Sequence, residues 1–343
     1  MTPLFLGLSG PVMTAEERAL FRAADPAGYI LFARNCVGPE QMLALTDSLR
    51  EMAGRDLPIL IDQEGGRVAR MKPPVWPAFP PAARFTTLYD IAPLTALEAA
   101  RLNALALALM LREVGVTVDC LPLLDVLHPG GHDIIGDRSY GGEPMWVAAL
   151  GRATLDGLRA GGVVGVVKHI PGHGRARVDS HLDLPVVDAT REELAIDFEP
   201  FRTLNAAPMA MTAHIIYSAL DPTRCATLSP WVIADTIRGD IGFGGLLMSD
   251  DLGMKALGNG GQLGGNAAQD FGARAVSCLD AGCDIALHCS GDFAEMRAIV
   301  EAAPPITPAA TARLGAAMLW AAPPREMEIA KVMADRDALL AFG

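Results

Sequence analysis

Eight short apolar runs alternate along this chain with longer segments patterned as helices. That alternation limits the possible fold more than any other feature. The runs are FLGLSG (5–10), YILFAR (29–34), LPILID (57–62), VTVDCLPLLDV (116–126), GVVGVVKHI (162–170), PMAMTAHII (208–216), GGLLMSD (244–250) and CDIALHCS (283–290). They are apolar nearly throughout rather than at every second position, as strands buried on both faces of a parallel sheet must be. Between them the spacing predicts helices over 15–24, 39–53, 94–114, 145–161 and 267–282, and a helical tail from about 305. Eight strands alternating with helices predict an α/β protein, a (β/α)8 TIM-type barrel forming one domain over residues 1–343. A doubly wound open sheet is the alternative. The barrel is favoured because Asp62, Asp125, Lys168, His169, His214, Asp250 and His288 fall at or near the C-terminal ends of the runs. In a barrel those ends converge on one face, which carries the active site.

The totals narrow the partners. A formal net charge of -12 opposes nucleic-acid binding, because phosphate recognition needs a basic field. The six cysteines show no zinc-type spacing and read as reduced buried thiols. MTPLFLGLSGPVM has no basic stretch before its apolar run and reads as a first strand, not a signal peptide. The longest fully apolar helical run, ALALALML (104–111), is too short to cross a bilayer. A cytoplasmic, soluble monomer with no membrane, nucleic-acid or cofactor partner is expected.

Four segments combine polar density with glycine. In IDQEGGRVAR (61–70), Asp62 ends a strand, Gly65 and Gly66 permit a tight turn, and Arg67 and Arg70 follow. A carboxylate and a guanidinium on one loop can bind vicinal sugar hydroxyls, one accepting and the other donating; an Asp–Arg pair that merely closes the loop is as good a reading. HDIIGDRSYGG (132–142) places Arg138 in a glycine-flanked loop, where a lone arginine is most often a surface residue. In KHIPGHGRARVDSH (168–181), Lys168 and His169 end a strand, and His173 sits between two glycines as a turn-holding residue. Asp179 stands two residues before His181, where a carboxylate can fix the imidazole tautomer and leave the other nitrogen to move a proton. In GGLLMSDDLGM (244–254), Asp250 ends a strand and Asp251 opens the next loop; one is expected to face a cavity and the other to brace the loop.

These segments resemble glycoside hydrolase family 3, and within it the single-domain bacterial β-N-acetylhexosaminidases of the NagZ type. KHIPGHGRARVDSH is similar to that subgroup's K-H-[FI]-P-G-H-G-x4-D-S-H motif, and IDQEGGRVAR, IIGDRSY and MSDDLGM match in the same order, up to about residue 290. Ile170 stands where Phe is common and Gly253 where Ser is common. The resemblance implies a (β/α)8 barrel and a retaining mechanism with Asp250 as nucleophile, His181 as acid/base and Asp179 as its partner. It implies that Asp62, Arg70, Arg138, Lys168 and His169 bind a terminal N-acetylglucosamine, with no metal and no cofactor. The implied substrate is a small carbohydrate, the GlcNAc–anhydro-muramyl peptide fragments released in cell-wall (peptidoglycan) recycling.

Three rival readings keep the same residues. A metal-dependent barrel hydrolase would use His169, His173, His214 and a strand-end aspartate, but the chain has no HExxH and no early HxH. A Schiff-base lyase would use Lys168 and leave the DSH loop unexplained. A sugar-binding or regulatory protein without catalysis would be marked by loss of Asp250 or His181, and both are present. The glycine-rich GNGGQLGG (258–265) lacks a following GK[ST] and is read as a loop, not a phosphate cradle.

Overall fold

The computed structural model describes residues 1–180, 183–258, 270–324 and 326–342. Its strands are β1 (Thr2–Gly7), β2 (Pro26–Leu31), β3 (Ile59–Ile61), β4 (Val118–Asp119), β5 (Val164–Ile170), β6 (Val186–Val187), β7 (Met209–Thr212), β8 (Ile216–Tyr217), β9 (Leu246–Met248) and β10 (Ala286–His288). Eight of them form one parallel sheet in the order β10-β1-β2-β3-β4-β5-β7-β9, while β6 and β8 make a separate small pair. The two ends of the large sheet also meet. Met248 bridges Ile285, the Ser249 N–H donates to the Ile285 carbonyl at 3.0 Å, and the Asp284 N–H donates to the Leu247 carbonyl at 2.7 Å. The sheet is thus a (β/α)8 barrel and not a doubly wound open sheet.

The side-chain packing accounts for the unbroken apolar runs. Phe5, Leu60, Leu246, Met248 and Leu287 belong to a cluster filling the barrel, while their neighbours Leu4, Leu6, Ile59, Ile61, Leu247 and Ala286 belong to a second cluster under the helices. Successive strand residues point to opposite faces, and here both faces are dry. The interior cluster continues into Leu314 and Ala317 of a C-terminal helix (Pro308–Met318), near where Ile306 N–H bonds the Met1 carbonyl.

The helices follow from local signals. The first (Ala15–Ala24) opens on a Thr14/Glu17 capping box, and Pro39 starts the next (Pro39–Ala53), which Gly54 closes in a left-handed conformation. The helix over Arg191–Thr203 carries the same capping box in Thr190 and Glu193. The predicted helix over 267–282 runs from Phe271 to Ala281, and residues 267–269 lie outside the described residues.

One expectation is corrected. Only Val118–Asp119 of the run 116–126 forms a strand. Pro122 has no N–H to give, so the chain continues beside β5 with irregular bonds, such as Leu124 N–H to the Lys168 carbonyl at 2.6 Å. The apolar run 104–111 is part of a 21-residue helix, Pro93–Glu113, that by length and composition could cross a membrane. Its apolarity has another cause. It is covered by the helices Pro144–Ala160 and Ile329–Leu340, the second of which sets the Arg336 guanidinium 3.0 Å from Asn103.

The tightest approach in that helical layer is at Gly157, where an added Cβ would lie 2.2 Å from the Arg101 carbonyl and 2.8 Å from the Ala104 Cβ. Gly157→Ala must therefore force the helices Pro93–Glu113 and Pro144–Ala160 apart. A destabilisation of about 1–3 kcal/mol is expected from such overpacking. Denaturant unfolding checks it; an unchanged midpoint would show that the two helices are not in this contact.

Candidate active site

Polar side chains gather where the barrel strands end, around a cavity of about 310 Å³. Asp62, Arg70, Arg138, Lys168, His169 and Asp250 all line it. These are six of the eight residues to which the family resemblance gives a catalytic or sugar-binding role. Asp179 does not line the cavity, although its neighbour Ser180 does. His181 lies outside the described residues.

The loop after β3 explains how Asp62 and Arg70 meet. Gly65 and Gly66 turn it with φ of 92° and 56°. The Gln63 side chain clips its return, accepting from the N–H groups of Arg70 at 2.8 Å and Met71 at 3.0 Å. Arg70 then reaches Asp62 at 3.1 Å. Arg67 points elsewhere: it donates to the carbonyls of Asp133, Ile134 and Ile135 and pairs with Asp137 at 2.9 Å, tying the 132–138 loop to this one.

Reading Asp62 and Arg70 as a simple loop-closing pair leaves out a third partner. The Lys168 ammonium lies 2.9 Å from Asp62 and 2.7 Å from Glu64. Glu64 in turn accepts from both Arg138 Nε and Nη2 at 2.8 Å, a bidentate pair. Arg138 is therefore not the surface arginine that its loop suggested. Glu64 was not anticipated as a site residue. Its signal was available: two residues after Asp62, at the end of a strand, it can turn to the same side.

Charge and burial oppose one another here, and charge wins. Burial would raise the pKa of Asp62, but Lys168 and Arg70 hold it below the usual carboxylate range. Burial would likewise raise Glu64, and Lys168 and Arg138 hold it down. Burial would lower Lys168, but the two carboxylates keep it well above the usual lysine value. A Schiff-base lysine must lose its proton to attack, so this environment suits Lys168 as a charged donor and not as a nucleophile.

Asp125 organises the next part of the site. Its carboxylate accepts the main-chain N–H groups of His169 at 3.1 Å and His173 at 2.7 Å, and His169 Nδ1 at 2.7 Å. Burial would raise its pKa; the His169 ring and these hydrogen bonds bring it down to about 2. An ionised carboxylate only accepts, so His169 Nδ1 carries a proton and Nε2 is left for the cavity. His173 Nε2 lies 3.1 Å from the Ser180 hydroxyl, linking the PGHG turn to the segment just before His181. Burial, then His169, push His173 down to about 4, so its ring is neutral near pH 7. The base of the turn is held from the helix Arg191–Thr203, where Asp197 pairs with Arg175 at 2.6 Å and His128 at 2.9 Å.

Asp250 and Asp251 both line the cavity. The Asp251 N–H donates to Asp250 Oδ1 at 2.8 Å, while Asp251 Oδ1 accepts the N–H groups of Gly253 at 3.0 Å and Cys289 at 2.9 Å. Asp251 thus braces the loop, as one of the pair was expected to. A metal site built on His169, His173 and His214 meets a different obstacle. His169 Nδ1, His173 Nε2 and both nitrogens of His214 are engaged within the protein. Among the described residues no three His, Cys, Asp or Glu side chains are grouped to hold a metal ion.

The comparisons with known proteins agree on one family. The profile described as "Glycosyl hydrolase family 3 N terminal domain" matches residues 6–310. A protein named Beta-hexosaminidase from Alkalilimnicola ehrlichii is 38% identical over 291 residues, covering 84% of this chain and 80% of its own. Another of that name from Methylococcus capsulatus is 37% identical over 339 residues, 97% of this chain and 93% of its own. NagZ from Neisseria gonorrhoeae, solved in complex with N-trifluoroacetyl-D-glucosamine, superposes with a TM-score of 0.83 at 30% identity, over 99% of this chain and 96% of its own. The same protein has been solved in complex with zinc ion.

The Asp125 cluster makes a pH prediction. Its folded pKa of about 2 lies below the ordinary 3.8, so the stability it contributes is present above the ordinary value and is lost as pH falls through the folded one. That contribution is on the order of 2 kcal/mol. Asp125→Asn should be less stable than the parent at pH 7, and its stability should fall less between about pH 4 and pH 2. Parallel denaturant titrations across that range would show it; identical acid limbs would remove Asp125 from the account.

Proposed function

The chain belongs to glycosyl hydrolase family 3 and is a β-hexosaminidase of that family, and on that premise we propose that it is a retaining exo-β-N-acetylglucosaminidase. Its substrates in this reading are muropeptide fragments of the cell wall, from which it releases terminal GlcNAc during peptidoglycan recycling. One observation carries the proposal: a strand-end carboxylate, Asp250, lines the same small cavity as a cluster of hydroxyl-binding groups of both signs.

Each group has a part to play. Asp62 accepts from sugar hydroxyls, while Lys168, Arg70 and Arg138 donate; their mutual ion pairs hold them in place before substrate arrives. His169 offers Nε2. In the first step an Asp250 oxygen attacks the anomeric carbon as the glycosidic C–O bond breaks, and His181 gives its proton to the departing oxygen. In the second, water attacks the same carbon, its proton passes to His181, and the Asp250 ester bond breaks. Asp179 orients the His181 ring and stabilises its charged form. Ser180, the residue before His181 in the chain, lines the cavity.

The nucleophile is tested by trapping. A 5-fluoro activated β-N-acetylglucosaminide should leave a covalent label on Asp250, found by peptide mapping. A label on Asp251, or inversion of anomeric configuration seen by NMR, would sink the assignment. The acid/base is tested by leaving group. His181→Ala should lower turnover of a disaccharide substrate by about 10²–10⁴ and slow the glycosylation step of a dinitrophenyl glycoside far less. Azide should then accelerate the slow second step and yield the β-glycosyl azide. Equal losses on both substrates with no azide rescue would make the DSH loop structural. The zinc complex of the gonococcal relative favours a second reading, metal dependence. Turnover of a 4-nitrophenyl β-N-acetylglucosaminide lost to a strong chelator and restored by zinc would establish it.

A further inference from the structure

Two strand-end residues have no part in the reading above, His214 after β7 and His288 at the end of β10. Both are fully buried, and both lie beside the turn that carries Asp250. His288 faces the Asp251 carboxylate at 3.7 Å, too far for a hydrogen bond, and its Nε2 is engaged by Glu295 at 3.0 Å and Ser290 at 2.9 Å. His214 makes the closer contact. Its Nε2 lies 3.0 Å from the main-chain carbonyl oxygen of Asp251, and its Nδ1 lies 2.7 Å from the Thr227 hydroxyl.

This pairing fixes the tautomer. A carbonyl oxygen only accepts, so Nε2 carries the proton and Nδ1 is the acceptor. The Thr227 hydroxyl, which also lies 3.1 Å from the Ala213 carbonyl, can turn its one proton to the closer Nδ1 while taking a bond from Thr212, 2.8 Å away. Burial keeps the ring neutral, lowering its pKa against the pull of Asp250 and the Asp251 carbonyl. A neutral, doubly held imidazole is a rigid donor.

What it holds is one bond from the reacting group. The N–H of Asp251 donates to Asp250 Oδ1 at 2.8 Å, and the carbonyl of the same residue accepts from His214. The next residue is held as well, the Leu252 N–H by Leu287 at 2.9 Å and its carbonyl by Arg274 at 2.5 Å. We propose that His214 is a positioning residue for the nucleophile: by donating Nε2–H to the Asp251 carbonyl it fixes the Asp251 main chain, whose N–H aims the Asp250 carboxylate at the anomeric carbon. The inference rests on Asp250 being the nucleophile. It matters because an attacking atom displaced by about 1 Å can lose about 10²-fold in rate.

Three substitutions separate this role from packing. In His214→Gln the side-chain amide reaches about as far as Nε2, whereas in His214→Asn it reaches only as far as Nδ1; His214→Leu has no donor. With the fluorinated sugar the rate of covalent labelling reports the first step directly. The Asn and Leu variants are expected to label about 10²-fold more slowly, with KM for the 4-nitrophenyl glycoside nearly unchanged and kcat reduced. The Gln variant is expected to recover at least tenfold of that loss. If the Leu variant does not fold, the comparison of Gln with Asn carries the test, since both are polar amides. Equal labelling rates for Gln and Asn, or losses confined to KM, would overturn the proposal and leave His214 a packing residue. A label on a residue other than Asp250 in the parent enzyme would instead overturn the nucleophile assignment.

Discussion

A buried ammonium between a buried carboxylate, Glu64, and a partly buried one, Asp62, is the constraint around which this barrel face is built. Lys168 is almost fully enclosed, and in such a place a lone charge would cost several kcal/mol. Asp62 and Glu64 at 2.9 and 2.7 Å offset that cost, and Arg70 and Arg138 satisfy the remaining carboxylate oxygens. No member can be removed without stranding another. Two carboxylates against three cations leave one positive charge in surplus, on the wall of the same cavity that Asp250 lines.

The cluster also joins elements that the chain keeps far apart. Asp62 and Glu64 follow β3, Lys168 ends β5, and Arg138 comes from the loop between them in sequence. Arg67 fastens that loop a second time through its carbonyls and Asp137. In the proposed reading, a sugar entering the cavity meets donors and acceptors already fixed by one another. Little ordering is left for binding to supply, which is the physical content of preorganisation. Asp125 repeats the device one strand further on, holding the ring of His169 and the main chain of the PGHG turn with a single carboxylate.

Much of this was legible in one dimension. The eight strands fall within or beside the apolar runs, because a strand dry on both faces leaves a continuous signal. Asp62, Lys168, His169 and Asp250 could be read from their place at the strand ends. The run 116–126 misled because a buried loop beside a strand is as apolar as the strand itself. The helix Pro93–Glu113 was placed to within a residue, although burial under two neighbours gives it the composition that a bilayer would select. Arg138 looked like a surface residue because nothing local announces a partner 74 positions away.

The sequence by itself determined the alternation of strands and helices and the residue types at the strand ends, since strand periodicity, caps and turn glycines act over a few residues and leave a local record. Only the tertiary structure decided the pairings. It showed which carboxylate Lys168 shares with Arg138, which nitrogen of His169 is taken by Asp125, and which main-chain carbonyl His214 holds. Those depend on distances between strands that meet only when the sheet closes, and a few ångströms separate an ion pair from two unrelated charges.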